Sequence, residues 1–419
     1  MKRVIFASGI LFLFACTKTK SALTNTPTTP AACAVVSISD INKKTSHYNP
    51  YFIPFTNYRG LVNAPASISS CVSTPGRIFL NLNKNSIPDL VITLTDGCGL
   101  AKGKVFVFID NVLKWTFEDP QVLTRKVATG DFNEDGIDDL VLFGSGHDGP
   151  PFPGDKNYII YFYASSYEIK ELDTLSLFFH NGTVGDINND GHLDIIPIPN
   201  QNWDCIAFLN DGKGNFIKKK LFDGSYTDNA YQSELYDVNN DGKLDIILGV
   251  QEYSNQPWQN PNTRILLGDG NGNFDKNNPI LIPTVPGWGV VTDLDFYDLD
   301  NDGIEELIIT RTSGSLGSDV NGLKKNPGGW YDDFRIQILK KNLNNYNQIA
   351  LLISPLGYEN TYFEWIDWMC VKDVDGDCFL DIVPDSENLN DPTFADLKLY
   401  NKLFYKGDGK GGFTIAYKN

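Results

Sequence analysis

Carboxylates recur in this chain at a spacing suited to holding a hard cation. From Gly185 the sequence reads GDINNDGHLDII. Asp186, Asn188 and Asp190 stand at alternate positions, Gly191 follows, and Asp194 comes three residues later, just before Ile195 and Ile196. Calcium takes about six to eight oxygen ligands at roughly 2.3–2.6 Å. A loop that wraps it needs side-chain oxygens at its first, third and fifth positions, so that each points inward as the backbone curves. The sixth position turns sharply, which glycine tolerates best. The seventh offers a backbone carbonyl, here that of His192, and the ninth a closing carboxylate, Asp194, at the mouth of the next strand.

The stretch returns as GDFNEDGIDDLVL from Gly130, YDVNNDGKLDIIL from Tyr236, YDLDNDGIEELII from Tyr297 and KDVDGDCFLDIV from Lys372. Read in the same way, the ligand sets are Asp131, Asn133, Asp135 and Asp139 with the Ile137 carbonyl, and Asp237, Asn239, Asp241 and Asp245 with that of Lys243. Asp298, Asp300, Asp302 and Glu306 join the Ile304 carbonyl, and Asp373, Asp375, Asp377 and Asp381 that of Phe379. The side chains of His192 and Lys243 are expected to point away from the ion. A sixth copy, LNLNKNSIPDLVI from Leu80, offers Asn81, Asn83, Asn85 and only one carboxylate, Asp89, with Ser86 at the turn; it is expected to be empty or weak. In the last loop Cys378 replaces the turn glycine, which strains the bend.

Asp, Asn and Gly are good turn formers, and for a single copy that would be explanation enough. It fails for five, because unpaired carboxylates packed together repel and raise one another's pKa. A metal removes that cost. Magnesium keeps several waters and avoids all-protein cages, and the sites lack the sulfur and histidine ligands that zinc favours. The expectation is about five calcium ions.

The elements that must position these loops are strands. Short apolar runs such as Leu140–Phe143, Ile246–Leu248 and Leu307–Ile309 follow each loop, and no long helical period competes with them. The lead positions Asn81, Asp131, Asp186, Asp237, Asp298 and Asp373 succeed one another at 50, 55, 51, 61 and 75 residues. Glycine-rich turns, LNDGKGNF from Leu209, LGDGNGNF from Leu267 and KGDGKGGF from Lys406, recur downstream. A repeat of this length is about one four-stranded propeller blade. The predicted fold is therefore all-β, a β-propeller over residues 45–419, with seven blades favoured over six. Residues 48–73 could form most of a seventh or supply the strand that closes the ring against the C-terminus, and 311–330 read as a surface insertion.

The DxNxDGxxD units with their DGxGxF turns resemble the FG-GAP/VCBS repeat family, seen also in the integrin α-subunit propeller. The resemblance spans about Arg77 to Phe413. It implies a propeller with calcium in the blade loops.

The formal net charge of −17 excludes a nucleic-acid partner, for there is no basic surplus to meet phosphates. Lys2, Arg3 and the apolar stretch Val4–Ala15 read as a signal peptide. It ends in LFAC, which resembles a lipobox with Cys16 as the lipidated residue, although Phe14 stands where a small or aliphatic residue is usual; an ordinary signal peptide is the alternative. Thr17 rather than Asp after that cysteine points to the outer membrane. Residues 16–44, rich in Thr, Pro and Ser, form a tether. Six further cysteines, Cys33, Cys71, Cys98, Cys205, Cys370 and Cys378, could pair in an exported chain, with Cys370 and Cys378 the first guess.

No nucleophile elbow, P-loop, zinc-protease or dinucleotide motif occurs in the sequence. His147 and His180, with Asp148 and Asp155 in reach, would form an acid–base site only if the fold brought them together. Trp203, Trp258, Trp288, Trp330, Trp365 and Trp368, with Tyr231, Tyr253 and Tyr331, could stack on sugars or simply pack blades together. The expected role is a non-catalytic binding or adhesion module for a protein or glycan. It would be exported, lipid-anchored in the outer membrane, and face the periplasm or the cell surface. The alternative is a carbohydrate-active enzyme, a polysaccharide lyase or hydrolase, on the same scaffold.

Overall fold

Each acidic loop is the bend between two strands, and those strands belong to sheets built on one plan. In the computed structural model, six sheets of four strands follow one another along the described residues, and within each the strands pair in sequence order. All of the pairings are antiparallel. The structure describes residues 77–418 except 86–87, 95–101, 148–152, 201–202, 228–229, 253–261, 314–333, 355–365, 367 and 386–402. These residues belong to one unit, Val35–Asn419. The expected leader, tether, seventh-blade segment and most of the 311–330 insertion lie outside them. Among the described residues no helix is long and apolar enough to cross a membrane.

Blade 1 comprises Arg77–Leu80, Asp89–Leu94, Lys104–Ile109 and Val112–Glu118; blade 2 comprises Thr124–Gly130, Asp139–Gly144, Tyr158–Tyr163 and Ser166–Glu171. Blade 3 is Phe179–Gly185, Asp194–Pro199, Cys205–Asn210 and Phe216–Phe222, and a short helical turn, Gly224–Thr227, leads onward from it. Blade 4 is Ala230–Tyr236, Asp245–Val250, Arg264–Leu266 and Ile280–Leu281; blade 5 is Val290–Tyr297, Glu306–Thr312, Phe334–Asn342 and Asn345–Ile353. Blade 6 is Trp368–Lys372, Asp381–Asp385, Leu403–Gly407 and Phe413–Tyr417.

The sequence of each strand matches its depth. Second strands such as DLVLFG, DIIPIP and DIILGV are buried along their whole length, because neighbouring blades cover both faces. Fourth strands such as SYEIKE and FIKKKLF alternate outward and inward and carry the charge. First strands of blades 2 to 6 touch one another in succession and line the axis. The approach is tight: a Cβ on Gly182 would lie 2.4 Å from the Phe143 ring, so only glycine fits there.

Six apolar clusters join the blades in turn. Leu80, Val91 and Val105 pack on Leu140 and Phe162, Val141 and Phe143 on Ile195 and Phe208, and Ile196 and Phe222 on Ile246 and Leu266. Ile247 meets Phe296 and Leu307, and Ile308 and Phe334 meet Met369 and Ile382. The sixth cluster sets Phe79, Leu90, Ile92 and Phe108 of blade 1 on Cys370, Val383 and Phe404 of blade 6. Each fully buried side chain of this size contributes roughly 1.5–3 kcal/mol. First and last sheets therefore meet directly. The described residues build six blades, and residues 48–73, the candidate for a seventh, lie outside them. Sequence spacing counts repeats but does not show which sheets touch.

Near the axis the packing turns polar. The Lys126 ammonium, from the first strand of blade 2, donates to Gln232 Oε1 at 2.9 Å, to the Ser233 carbonyl at 2.7 Å and to Glu234 at 2.9 Å, all in blade 4. Gln232 donates to Asp293 of blade 5 at 3.2 Å, and Asp293 accepts the Met369 N–H of blade 6 at 2.9 Å. Ser233 Oγ donates to Asn181 of blade 3 at 2.5 Å. One buried network thus crosses five blades.

Candidate metal centres on one rim

Strands alternate in direction, so the bend after a first strand and the bend after a third strand emerge at the same rim. The acidic loops, 131–138, 186–193, 237–244, 298–305 and 373–380, occupy the first kind of bend, as does 81–88. The glycine-rich turns occupy the second kind in blades 3, 4 and 6, after Asn210, Leu266 and Gly407. Every sequence-predicted ligand residue thus lies on one rim.

The backbone aims the side chains. In four loops the first carboxylate, Asp131, Asp186, Asp237 or Asp298, accepts the N–H of the fifth and sixth residues at 2.7–3.1 Å. Asn133, Asn188 and Asn239 accept the fifth N–H at 2.9–3.1 Å. The fifth carboxylate, Asp135, Asp190, Asp241, Asp302 or Asp377, accepts the seventh N–H at 2.9–3.0 Å. Two residues per loop adopt left-handed backbone: the fourth, for example Asn189 at φ 57°, and the sixth, for example Gly191 at φ 91°.

The last loop departs from this template. Gly376 takes the fourth position at φ 83°, and Cys378 takes the sixth at φ 72°, a conformation strained for a side-chain-bearing residue. Asp373 accepts the Gly376 and Cys378 N–H groups at 2.7 and 3.0 Å. Cys378 is disulfide-bonded, but not to Cys370, whose buried thiol packs among Phe79, Leu90 and Val383. The pairing guessed from sequence is thereby corrected: Cys370 faces the interface with blade 1, whereas Cys378 sits at the bend of an exposed loop.

The ninth carboxylate has a second task that sequence reasoning missed. It straddles the blade, with one oxygen accepting the N–H of the second loop residue and the other an N–H at the end of the third strand. Asp194 accepts from Ile187 and Asn210 at 3.1 and 2.9 Å, Asp139 from Phe132 and Phe162 at 3.1 and 3.0 Å, and Asp245 from Val238 and Gly268 at 2.9 and 2.8 Å. Asp381 does so with Val374 and Gly407, and Asp89 with Leu82 and Asp110. Glu306 accepts from Leu299 at 2.9 Å and turns its other oxygen to Lys340. The cue was available: even the decayed first copy keeps an acidic residue, Asp89, at this place. Burial pushes Asp139 up to about 8, Asp194 to about 7 and Asp245 to about 6, and the neighbouring loop carboxylates push in the same direction.

The donor sets fit a hard divalent cation. Carboxylate oxygens of Asp298, Asp300 and Asp302 lie within 4.8 Å of one another, as do those of Asp373, Asp375 and Asp381. Asp300 Oδ1 is buried with no hydrogen-bond donor. In blades 5 and 6 a lysine ammonium rests on the loop carboxylates, which shows that the cradles attract a cation. The His192 imidazole turns out of its own loop to pair with Glu134 of the preceding one, as expected. Lys243 instead approaches Asp241, at 3.4 Å. In loop 1, Asn83 and Asn85 donate to Asp110 at 3.0 and 2.9 Å, so amides bind a carboxylate there; Ser86 lies outside the described residues.

His147 and His180 lie at the other rim. His180 packs between Phe178 and Tyr231, each with ring centroids 4.7 Å away, and meets Asn200 Nδ2 at 2.8 Å. Burial, then the charge of Arg125, holds its pKa well below the usual histidine value. Asp155 accepts the Val122 and Lys156 N–H groups, and no hydrogen bond joins it to either histidine. Asp148 lies outside the described residues. Among the aromatic candidates, Trp203 is half exposed and Trp288 lies under the Arg335 guanidinium at 3.8 Å. Nothing is described for the side chains of Trp258, Trp330, Trp365, Trp368, Tyr253 and Tyr331.

Residues 186–248, which hold two successive acidic loops, match the family model of the FG-GAP-like repeat. No curated protein matches the chain. Among solved structures it is similar to the V. cholerae biofilm matrix protein Bap1, at 13% identity over 68% of this chain and 40% of that one, TM-score 0.37. It is also similar to the Bacillus licheniformis rhamnogalacturonan lyase PL11, at 11% identity over 82% of this chain and 57% of that one, TM-score 0.42. The exotype rhamnogalacturonan lyase YesX shows 10% identity over 76% and 71%, TM-score 0.36. The chain spans less than two thirds of the first two proteins, and likeness at this level concerns the fold alone. Residues 186–248 thus carry a repeat of the FG-GAP-like kind, and the acidic loops of the other described blades follow the same plan.

Proposed function

We propose that this protein is a calcium-stabilised binding or adhesion module of the cell envelope that recognises a protein or glycan and does no chemistry on it. Exported and anchored to the outer membrane through Cys16, it would present its propeller to the periplasm or the surroundings. The observation that carries this reading is where the acidic groups are spent. The ninth carboxylates hold loop and third strand together, the fifth hold the bend, and Asp155 is bonded to backbone N–H groups. Groups committed to N–H donors in this way serve architecture. Calcium at Asp186, Asn188, Asp190, the His192 carbonyl and Asp194, and at the matching positions of blades 2, 4, 5 and 6, would neutralise the loops and fix their shape.

The similar structures include a matrix protein and polysaccharide lyases, so the two classes have to be separated by experiment. A glycan array, followed by product analysis on each bound polysaccharide, does this. Binding that leaves the chain length unchanged, is lost in chelator and returns with calcium is the expected result. Cleavage of the bound polysaccharide would overturn the non-catalytic reading in favour of a carbohydrate-active enzyme.

A further inference from the structure

The five acidic loops differ in charge, and the difference is matched on a neighbouring strand. Loops of blades 2, 3 and 4 carry Asn at the third position (Asn133, Asn188, Asn239), whereas those of blades 5 and 6 carry Asp300 and Asp375. Register identifies the residue facing the ninth carboxylate. Leu307 pairs with Leu339 and Ile382 with Tyr405, which sets Lys340 across from Glu306 and Lys406 across from Asp381. In blades 2, 3 and 4 the pairs Leu140–Ile160, Ile195–Phe208 and Ile246–Leu266 put Tyr161, Leu209 and Leu267 in that place. Where the third position is an amide, the facing residue has no charge; where it is a carboxylate, the facing residue is lysine.

The side chains meet. Lys340 Nζ lies 2.5 Å from Asp300, 2.7 Å from Asp302 and 3.0 Å from Glu306. Lys406 reaches Asp375 and lies 2.8 Å from Asp377. Both contact the third and fifth positions, from equivalent places on two different blades. Lys243, beside the loop of blade 4, starts from the loop itself and comes only to 3.4 Å of Asp241.

We infer that Lys340 and Lys406 are internal counter-cations that offset the extra carboxylates Asp300 and Asp375. With them the first, third, fifth and ninth positions together carry the same net charge in all five loops. The loops of blades 5 and 6 therefore hold their shape at calcium levels that loosen those of blades 2, 3 and 4. This rests on the calcium reading above only for the second half of the claim.

The test is a set of thermal melts of the whole chain in chelator. Lys340→Leu should lower Tm by several degrees, and adding Asp300→Asn, which makes the loop like that of blade 3, should restore most of the loss. Lys406→Leu with Asp375→Asn repeats the test in a more exposed loop, in case the first variant folds poorly. A Lys340→Leu protein that melts like the parent overturns the inference. So does a loss that Asp300→Asn leaves untouched, since packing rather than charge would then be at work. Calcium is then added: the parent and both lysine variants should gain Tm, the variants more. If none gains, the calcium reading falls, while the chelator melts still decide whether the lysines are counter-ions.

Discussion

The rim and the axis of this propeller both gather charge, and they settle it differently. At the axis the chain supplies both signs: Lys126 and Glu234 have side chains only 3% and 4% exposed and lie 2.9 Å apart. At the rim, the ligand positions of the loops of blades 2, 3 and 4 gather three carboxylates each, held by backbone N–H groups and, in the function proposed above, by an ion from solution. The difference is one of access. A buried axis cannot recruit a hydrated ion after folding, so its counter-charge has to be built into the sequence. An exposed loop can leave that place to calcium, and its stability then follows the calcium concentration.

The largest expected effect separates the two regions directly. A site filled at one hundred times its dissociation constant contributes about 2.7 kcal/mol. Chelation that strips three loops should therefore remove about 8 kcal/mol and lower Tm by roughly ten degrees or more. Differential scanning calorimetry with and without chelator measures it, and calcium but not magnesium should reverse the change. Melting indifferent to chelator would mean that rim and axis are alike, and the contrast would dissolve.

Next in size is the axis. Lys126→Met leaves Glu234 and Asp293 buried near one another without their cation, which should cost about 3–5 kcal/mol. Urea denaturation should show the same loss with calcium or with chelator. Adding Glu234→Gln should recover part of it, because one uncompensated charge is gone. A loss that shrank in calcium would link the axis to the rim, contrary to the distinction drawn here.

A smaller effect divides the ninth carboxylate's two tasks. Asp89→Ala and Asp194→Ala each orphan two backbone N–H groups, at a cost of about 2 kcal/mol or more. Asp89 belongs to a loop whose amides bind Asp110, so its deficit should be equal in calcium and in chelator. For Asp194 the deficit should be larger in calcium, because a ligand is lost as well. Isothermal titration with calcium on the Asp194 variant checks this, with one site fewer expected. Equal behaviour of the two variants would leave Asp194 as a clamp alone.

The rim was legible in the sequence and the axis was not, for a physical reason. The ligand positions Asp186 to Asp194 fall within nine residues of one another, so spacing alone displays the loop, and the apolar runs behind it announce the second strands. Lys126 acts through Glu234, 108 residues away. Nothing local in TRKVATG or AYQSELY distinguishes a strand that crosses an axis from one that faces water. Lys340 and Lys406 are intermediate. Their role needs strand register, yet aligning the third strands against the loops would have placed lysine opposite just those copies with a third aspartate. The Cys370–Cys378 guess failed for the same reason as the axis: it depends on which distant surfaces meet.

The smallest effect probes whether the rim really is one template. Asn240 holds the fourth position of its loop at φ 59°. Asparagine visits that region more readily than most residues, and glycine more readily still. Asn240→Gly should then stay within about 0.5 kcal/mol of the parent, since relief of strain offsets the added freedom of the unfolded chain. Asn240→Ala should cost about 1 kcal/mol, because alanine pays the left-handed penalty with no local hydrogen bond in return. The gap between the two variants, read by chemical denaturation in saturating calcium, isolates backbone shape from charge. At the axis no such gap exists to be found, because Lys126 works through its ammonium, whereas here the substituted side chain matters less than the angle its backbone can take. Should alanine prove as stable as glycine, the fourth residue is not held left-handed, and the inward aim of Asp237, Asn239 and Asp241 would need another cause.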